Sequence, residues 1–363
     1  MPKYRTKDIR NLTLVGHSGA GKTTLIEALL KKTGSIGEVG TIERGTTTTD
    51  FDPLEREFQH SLDSAIASFD VDGIHVNMID TPGFPDFFGP TLTGLSATET
   101  AAVVINANNG IELSTRRLMR RAKRRRLCRI IIINKMDQGS ANLKKVVQDI
   151  RQEFGPECLP INLPAEGYST VKDCFFGTEG ETDVFSLSEA HEAIIDQVVE
   201  VNDDLMEKYL EGEELSRDEL HEAFELALRE GHLVPICFTS AATGAGLGEF
   251  INLCRRLLPN PKEANPPPIF KGEGKDAETV EVLPKSTGHA IAHVFKITND
   301  PFVGKLSVFR IYQGTVKPDS QLFIGDGRKP FKVGHLFKLQ GGKHIEVDAG
   351  IPGDICAVAK VDD

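Results

Sequence analysis

The 363-residue chain is 39% hydrophobic and 26% charged, a globular balance with enough apolar residues for more than one core. Its net charge of −11 argues against a protein that coats nucleic acid. Its longest aliphatic run, residues 130–133, is far too short to span a membrane, and the polar start MPKYRTKDIR, without an apolar core, reads as neither a signal nor a transit peptide. Apolar runs at 12–15, 75–79, 101–107, 129–133 and 233–238 show little alternation, as strands covered on both faces do. Helical stretches at 22–32, 91–99, 114–126, 141–154 and 247–258 separate them. The alternation implies a doubly wound α/β domain with a mostly parallel sheet. Residues 70–73 read as the turn of a hairpin joining 64–69 to 75–79, which adds one antiparallel edge strand.

The alternation stops after residue 154. Residues 157–229 begin with short β-like pieces and become helical at 188–210 and 216–229, where Ser216 and Glu219 have capping-box spacing. This segment reads as an α+β insertion, after which the sheet resumes at 233. PNPKEANPPP, residues 259–268, holds five prolines and reads as a linker. Short alternating strands at 290–297, 305–313, 321–324, 331–337 and 355–359 then suggest a small β-barrel. Six scattered cysteines without a C-x-x-C pair read as free thiols of a reducing cytoplasm. Residues 114–127 are densely basic and 179–230 acidic. Each reads first as a solvated face; an RNA-facing or protein-facing surface is the alternative.

Four short motifs carry chemistry. Gly16-His17-Ser18-Gly19-Ala20-Gly21-Lys22-Thr23, followed by Thr24, fits G-x-x-x-x-G-K-[ST] between a strand and a helix. Its amides and the helix N-terminus suit phosphate, with Lys22 on the β- and γ-phosphates and the Thr23 hydroxyl on Mg²⁺. Asp80-Thr81-Pro82-Gly83 ends the next parallel strand, where the carboxylate can hold Mg²⁺ through a water and Gly83 can offer its amide to the γ-phosphate. Asn134-Lys135-Met136-Asp137 fits N-K-x-D. Asp137 can accept both N1–H and the exocyclic amine of guanine, whereas adenine would leave that carboxylate unpaired. Asn134 can brace the loops and the Lys135 stem can cover the base. Ser240-Ala241-Ala242, after the strand at 233–238, reads as the last base loop. GTP is therefore expected over ATP.

With these motifs the chain resembles the translational GTPases, elongation factor G in particular. The resemblance extends to HEAIIDQVVEVNDDLMEKYLEGEELS (residues 191–216), like that family's inserted subdomain. It also covers NDPFVGKLSVFRIYQGTVKPD (residues 299–319) and Gly353-Asp354-Ile355, like its second domain. It implies a P-loop GTPase domain at 1–156 and 230–260, the insertion at 157–229, a linker at 261–269 and β-barrel domain II at 270–363. It further implies a cytoplasmic monomer that uses GTP, GDP and Mg²⁺. The small ribosomal subunit would meet domain II, the large subunit's GTPase centre the GTPase domain, and a ribosomal stalk protein the insertion. Three positions depart from the family. Gly19 replaces a usual Asp. EREFQHSL (residues 55–62) stands where the family has R-G-I-T-I, and counting back from Asp80 puts Ser61 at its Mg²⁺-binding Thr. Phe84 replaces the His of D-T-P-G-H that positions the attacking water, a loss expected to cost about 10²–10⁴ in rate. The catalytic set is then Lys22, Gly83 and position 84, and the alternative reading is a GTP-dependent ribosome-binding switch that hydrolyses little. The family continues with three further domains beyond the barrel. A chain ending at Asp363 is expected to be a fragment or truncation that does not translocate tRNA.

Overall fold

The computed structural model describes residues 4–138, 142–213, 215–272, 274, 277–300, 303–325 and 327–359. The expected helix start at Ala141 lies outside them. In chain order the first part contains β1 (Ile9–Val15), α1 (Lys22–Lys32), α2 (Pro53–Phe58), β2 (Ala65–Val71), β3 (Ile74–Asp80), α3 (Phe88–Gly94), β4 (Thr100–Asn106), α4 (Leu113–Arg124), β5 (Cys128–Asn134) and α5 (Leu143–Phe154). Then follow β6 (Cys158–Pro160), β7 (Asn162–Ala165), β8 (Thr170–Asp173), α6 (Leu187–Val199), α7 (Asp203–Leu210), α8 (Arg217–Glu230), β9 (Val234–Phe238) and α9 (Leu247–Arg256).

Seven strands form one sheet in the order β2-β3-β1-β4-β5-β9-β6. Only β2 runs antiparallel to its neighbour, and Val71 pairs with Ile74 across the expected Asp72-Gly73 turn. Every residue of β1, β4 and β5 is buried, which is why their sequences do not alternate.

Several details differ from the sequence expectation. The helix expected at 91–99 spans Phe88–Gly94, and the strand expected at 331–337 is two, Phe331–Lys332 and Leu336–Gln340, in different sheets. Residues 188–210 are not one helix, because the Asn202 side chain accepts from the Leu205 amide and starts α7 afresh. The segment from 157 does not leave the sheet at once, since β6 pairs in parallel with β9 as an outer strand. Beyond it, β7 and β8 form a hairpin, and Ser216 and Glu219 make the expected capping box on α8. Ile194, Val198 and Phe224 join the same core as Leu233 and Ile236, so the helical insertion shares the sheet's apolar interior.

The remaining strands are β10 (Ile269–Lys271), β11 (Glu278–Val280), β12 (Ile291–Asp300), β13 (Gly304–Gln313), β14 (Gln321–Leu322), β15 (Phe331–Lys332), β16 (Leu336–Gln340), β17 (Lys343–Glu346) and β18 (Ile355–Ala359). An antiparallel five-stranded sheet, β12-β13-β18-β16-β17, with the pairs β14-β15 and β10-β11, makes a small barrel-like domain. Strand β13 serves two cores by alternation. Phe309 and Ile311 point into the barrel, while Leu306 and Val308 pack with Ile66, Ile79 and Ala97 of the first domain.

Candidate functional site

Strand register places the site. Leu14 pairs with Asp80, so the end of β3 lies beside the end of β1, where the chain turns through Gly16–Gly21 into α1. Thr81 Oγ1 donates to the Leu14 carbonyl at 2.6 Å and fixes that junction. Gly21 starts α1 at φ 89°, a left-handed conformation that glycine adopts freely. A side chain there would also meet Asn134 Nδ2 at 2.5 Å.

Lys22 is buried, and its ammonium donates to the carbonyls of Gly16 (3.0 Å) and His17 (3.1 Å). Burial pulls its pKa down to about 8, against the opposing charge of Asp80. Asp80 Oδ2 accepts from the hydroxyls of Thr23 and Thr49, each at 2.7 Å. Ser61 Oγ lies 3.4 Å from Thr23 Oγ1 and donates to Asp50 Oδ1 at 2.7 Å. The structure places Thr23 within reach of both Ser61 and Asp80, and adds Thr49 and Asp50, which sequence reasoning passed over. Burial, followed by the charge of Asp80, pushes Asp50 up to about 7. Burial likewise raises Asp80, offset by its two hydroxyl donors.

These groups fit a divalent cation beside phosphate. Asp80 Oδ1 and Asp50 Oδ2 are buried without a hydrogen-bond partner, and both carboxyls resist ionising until a positive charge arrives. Among the described residues no cluster of three His, Cys, Asp or Glu side chains could hold a metal. The ion would draw on carboxylates and hydroxyls, with phosphate and water completing its shell.

Gly83 closes over the phosphate loop. Its carbonyl accepts from the Ser18 amide at 3.1 Å, and a Cβ on Gly83 would sit 2.5 Å from Ser18 N and 2.7 Å from Lys22 Nζ. His17 turns aside to Ser114 Oγ (3.2 Å) and Glu112 (3.4 Å) at the start of α4. Gly19 has φ 78° and open space around it, Ala20 is buried and Thr24 is half-buried. Phe84 is 38% exposed, and its ring centroid lies 4.6 Å from that of His60.

The base side is assembled by Asn134. Its Nδ2 donates to the Ala20 carbonyl at 3.1 Å, and its Oδ1 accepts from the Ala241 amide at 3.2 Å and Thr239 Oγ1 at 3.3 Å. One buried side chain thus ties the phosphate loop to the 239–242 loop. Lys135 takes φ 65°, with its stem beside Gly21. Ser240 is buried and Ala242 exposed. Asp137 Oδ1 is buried with no partner, an orphan acceptor three residues beyond Asn134.

Two buried glutamates, also missed from sequence, shape the segment between α1 and β2. Glu27 accepts from the amides of Gly40 and Thr48. Glu55 accepts from those of Asp52, Leu62 and Asp63. Only their burial in α1 and α2 distinguishes them from surface glutamates.

A family model described as "Elongation factor Tu GTP binding domain" matches residues 7–260, and one described as "Elongation factor G domain 2" matches 289–363. The chain belongs to the translational GTPases, on their elongation factor G-like branch. Relatives of this chain include the "Elongation factor G-like protein" of Mycobacterium tuberculosis strain H37Rv, 33% identical over 97% of this chain and 53% of the relative. The protein of the same description from Thermotoga maritima is 29% identical over 98% of this chain and 53% of the relative. Among solved structures, ttk003000868 from Thermus thermophilus superposes with a TM-score of 0.84 at 31% identity, over 98% of this chain and 52% of that one. The chain spans about half the length of the curated relatives it matches.

The barrel touches the loop that carries Thr49 and Asp50. The Gly341 amide donates to the Ile66 carbonyl at 2.7 Å, and a side-chain carbon on Gly341 would overlap the Thr48 carbonyl oxygen. Gly341 also has φ 56°. Gly341→Val is expected to cost about 1–3 kcal/mol through overpacking and left-handed strain. Urea unfolding reads the loss, and faster trypsin cleavage after Arg44 reports release of the loop.

Proposed function

We propose that this chain binds GTP and GDP with Mg²⁺, hydrolyses GTP, and is stimulated in doing so by the ribosome. The observation that carries the reading is the constellation of Lys22, Thr23, Thr49, Asp50, Ser61 and Asp80, in which Asp50 Oδ2 and Asp80 Oδ1 are buried without a hydrogen-bond partner. Lys22 and the amides of residues 17–24 grip the phosphates. Thr23, Ser61 and Asp80 hold Mg²⁺, which when bound neutralises charge on the β- and γ-phosphates. Gly83 presents its amide toward the γ-phosphate. Asp137 reads guanine, Asn134 braces its loop, and Lys135 with Ser240–Ala242 lines the base. The working division is a GTPase domain at 1–156 and 230–260, an insertion at 157–229, a linker at 261–269 and domain II at 270–363. The partners are the small ribosomal subunit at domain II, the large subunit's GTPase centre at the GTPase domain and an acidic-insertion contact with a stalk protein. The chain acts as a cytoplasmic monomer, a reading supported by six buried free cysteines. No helix among the described residues is long and apolar enough to cross a membrane.

A second reading rests on Phe84, which offers water neither a donor nor an acceptor: a GTP-dependent ribosome binder with little turnover. Single-turnover hydrolysis with and without ribosomes, on the unaltered chain and Phe84→His, separates the two. Turnover by the unaltered chain that rises with ribosomes is expected. Tight GTP binding without turnover, rescued by Phe84→His, would establish the second reading instead.

A further inference from the structure

GTP hydrolysis needs a group that orients the attacking water, because the phosphoryl transition state leaves little else for side chains to do. Position 84 cannot supply it. We propose that His60 is the catalytic residue that orients this water, an inference that rests on the GTPase reading above.

Both neighbours of the His60 ring lead back to the reacting phosphate. On one side its centroid is 4.6 Å from Phe84, which directly follows the Gly83 that closes over Ser18 and Lys22. On the other side it is covalently next to Ser61, whose hydroxyl lies 3.4 Å from Thr23 Oγ1. The imidazole therefore lies against Phe84 and one residue from Ser61, beside both segments that the GTPase reading puts at the γ-phosphate.

Its placement is built by the fold. Gln59 ends α2 in a left-handed turn at φ 56°, and the His60 amide then donates to the Glu55 carbonyl at 3.2 Å. The Glu55 carboxylate takes the amides of Leu62 and Asp63 just beyond, at 3.0 and 3.2 Å. The backbone is pinned on both sides of the ring.

Its tautomer suits the task. His60 Nδ1 lies 3.2 Å from the Ser61 carbonyl oxygen. A carbonyl only accepts, so in the neutral ring this contact puts the proton on Nδ1 and leaves Nε2 a lone pair. That lone pair can accept a hydrogen bond from water, while Phe84 and Phe87, whose centroids lie 4.6 and 5.9 Å from that of His60, give the ring an apolar backing. In the step, the water oxygen forms a bond to the γ-phosphorus. The bond from that phosphorus to the β–γ bridging oxygen breaks, and the water's protons leave with GDP and inorganic phosphate. Position 84 thus supplies the packing surface and position 60 the polar group.

The test pairs two variants that a purely structural role would order oppositely. His60→Phe keeps an aromatic ring against Phe84 but has no acceptor. His60→Gln loses the ring but keeps an acceptor. Single-turnover GTP hydrolysis is measured with saturating ribosomes, alongside GTP and GDP affinity by displacement of a fluorescent guanine nucleotide. His60→Phe is expected to slow hydrolysis by about 10²–10⁴-fold with nucleotide affinity held. His60→Gln should retain more turnover than His60→Phe, and His60→Phe combined with Phe84→His should recover most of the loss. Turnover by His60→Phe close to that of the unaltered chain overturns the proposal. So does the order in which the phenylalanine variant outperforms the glutamine variant, or an unaltered chain that binds GTP tightly and never hydrolyses it. An unaltered chain with no affinity for guanine nucleotide overturns the GTPase reading itself, and the role of His60 with it.

Discussion

Replacing Asp137 by asparagine is expected to move the base preference from guanine to xanthine. Asp137 Oδ1 is buried and unpartnered, at the end of a loop whose partner loop is already tied down by Asn134. A carboxylate there accepts from both N1–H and the exocyclic amine of guanine. Asparagine can accept from N1–H but turns an amide N–H toward the guanine amine, so two donors face each other. Xanthine has a carbonyl in place of that amine and satisfies the new donor. A buried polar group left unpaired costs about 1–3 kcal/mol, and more where the partner is charged. The loss of GTP affinity is expected on the order of 10³-fold, with a comparable gain for xanthosine triphosphate. Competition against a fluorescent nucleotide with GTP, inosine triphosphate and xanthosine triphosphate reads it. An unchanged GTP preference would place the base somewhere other than beside Asp137.

That prediction draws on a part of the site that was legible in sequence. Residues 16–24, 80–83 and 134–137 are contiguous, and each follows a strand of the sheet, so local offsets fix their positions. The apolar runs marked the strands for the same reason: β1, β4 and β5 are buried on both faces. The segment between α1 and β2 behaves differently. Thr49 and His60 reach the site through contacts with Asp80 and Phe84, far along the chain, and Asp50 and Glu55 through contacts with Ser61 and Leu62 across the loop, and no secondary-structure period spaces them. Ser61 was found only by register from Asp80; its bond to Asp50 was invisible until both were placed. Glu27 was hidden differently. It occupies an ordinary helical position in α1 and becomes a loop anchor only because Gly40 and Thr48 fold back over it. The break at Asn202 reflects a local competition that apolar patterning does not report, since the amide side chain can cap a new helix as readily as solvate the old one.

Arg310→Ala is expected to be the most damaging single change away from the nucleotide, at about 3–5 kcal/mol. Arg310 leaves β13 on the face that meets the first domain and is 1% exposed. Its guanidinium donates to both Glu99 oxygens, at 2.6 and 3.2 Å, and to the Ala97 carbonyl at 3.1 Å. Glu99 Oε2 also accepts from Asn11 Nδ2 at 2.8 Å, and that nitrogen reaches the Gly353 carbonyl at 3.1 Å. A carboxylate just ahead of β4 is thus satisfied jointly by β1 and by the barrel. Removing the arginine leaves Glu99 charged, buried and short of its strongest partner, and that uncompensated charge accounts for most of the cost. Removing both charges should therefore be milder: Arg310→Met with Glu99→Leu is expected to recover most of the loss, apart from the Asn11 donor it strands. Urea unfolding of the two single variants and the double variant gives the coupling. A loss in the double variant equal to the summed losses of Arg310→Met and Glu99→Leu would mean that the ion pair contributes no coupling across the interface. The same variants test what the barrel does for the nucleotide. Gly341 and the Ile66 carbonyl join the barrel to the strand that follows the Asp50–Ser61 loop, so loosening the Arg310 anchor should also speed trypsin cleavage after Arg44.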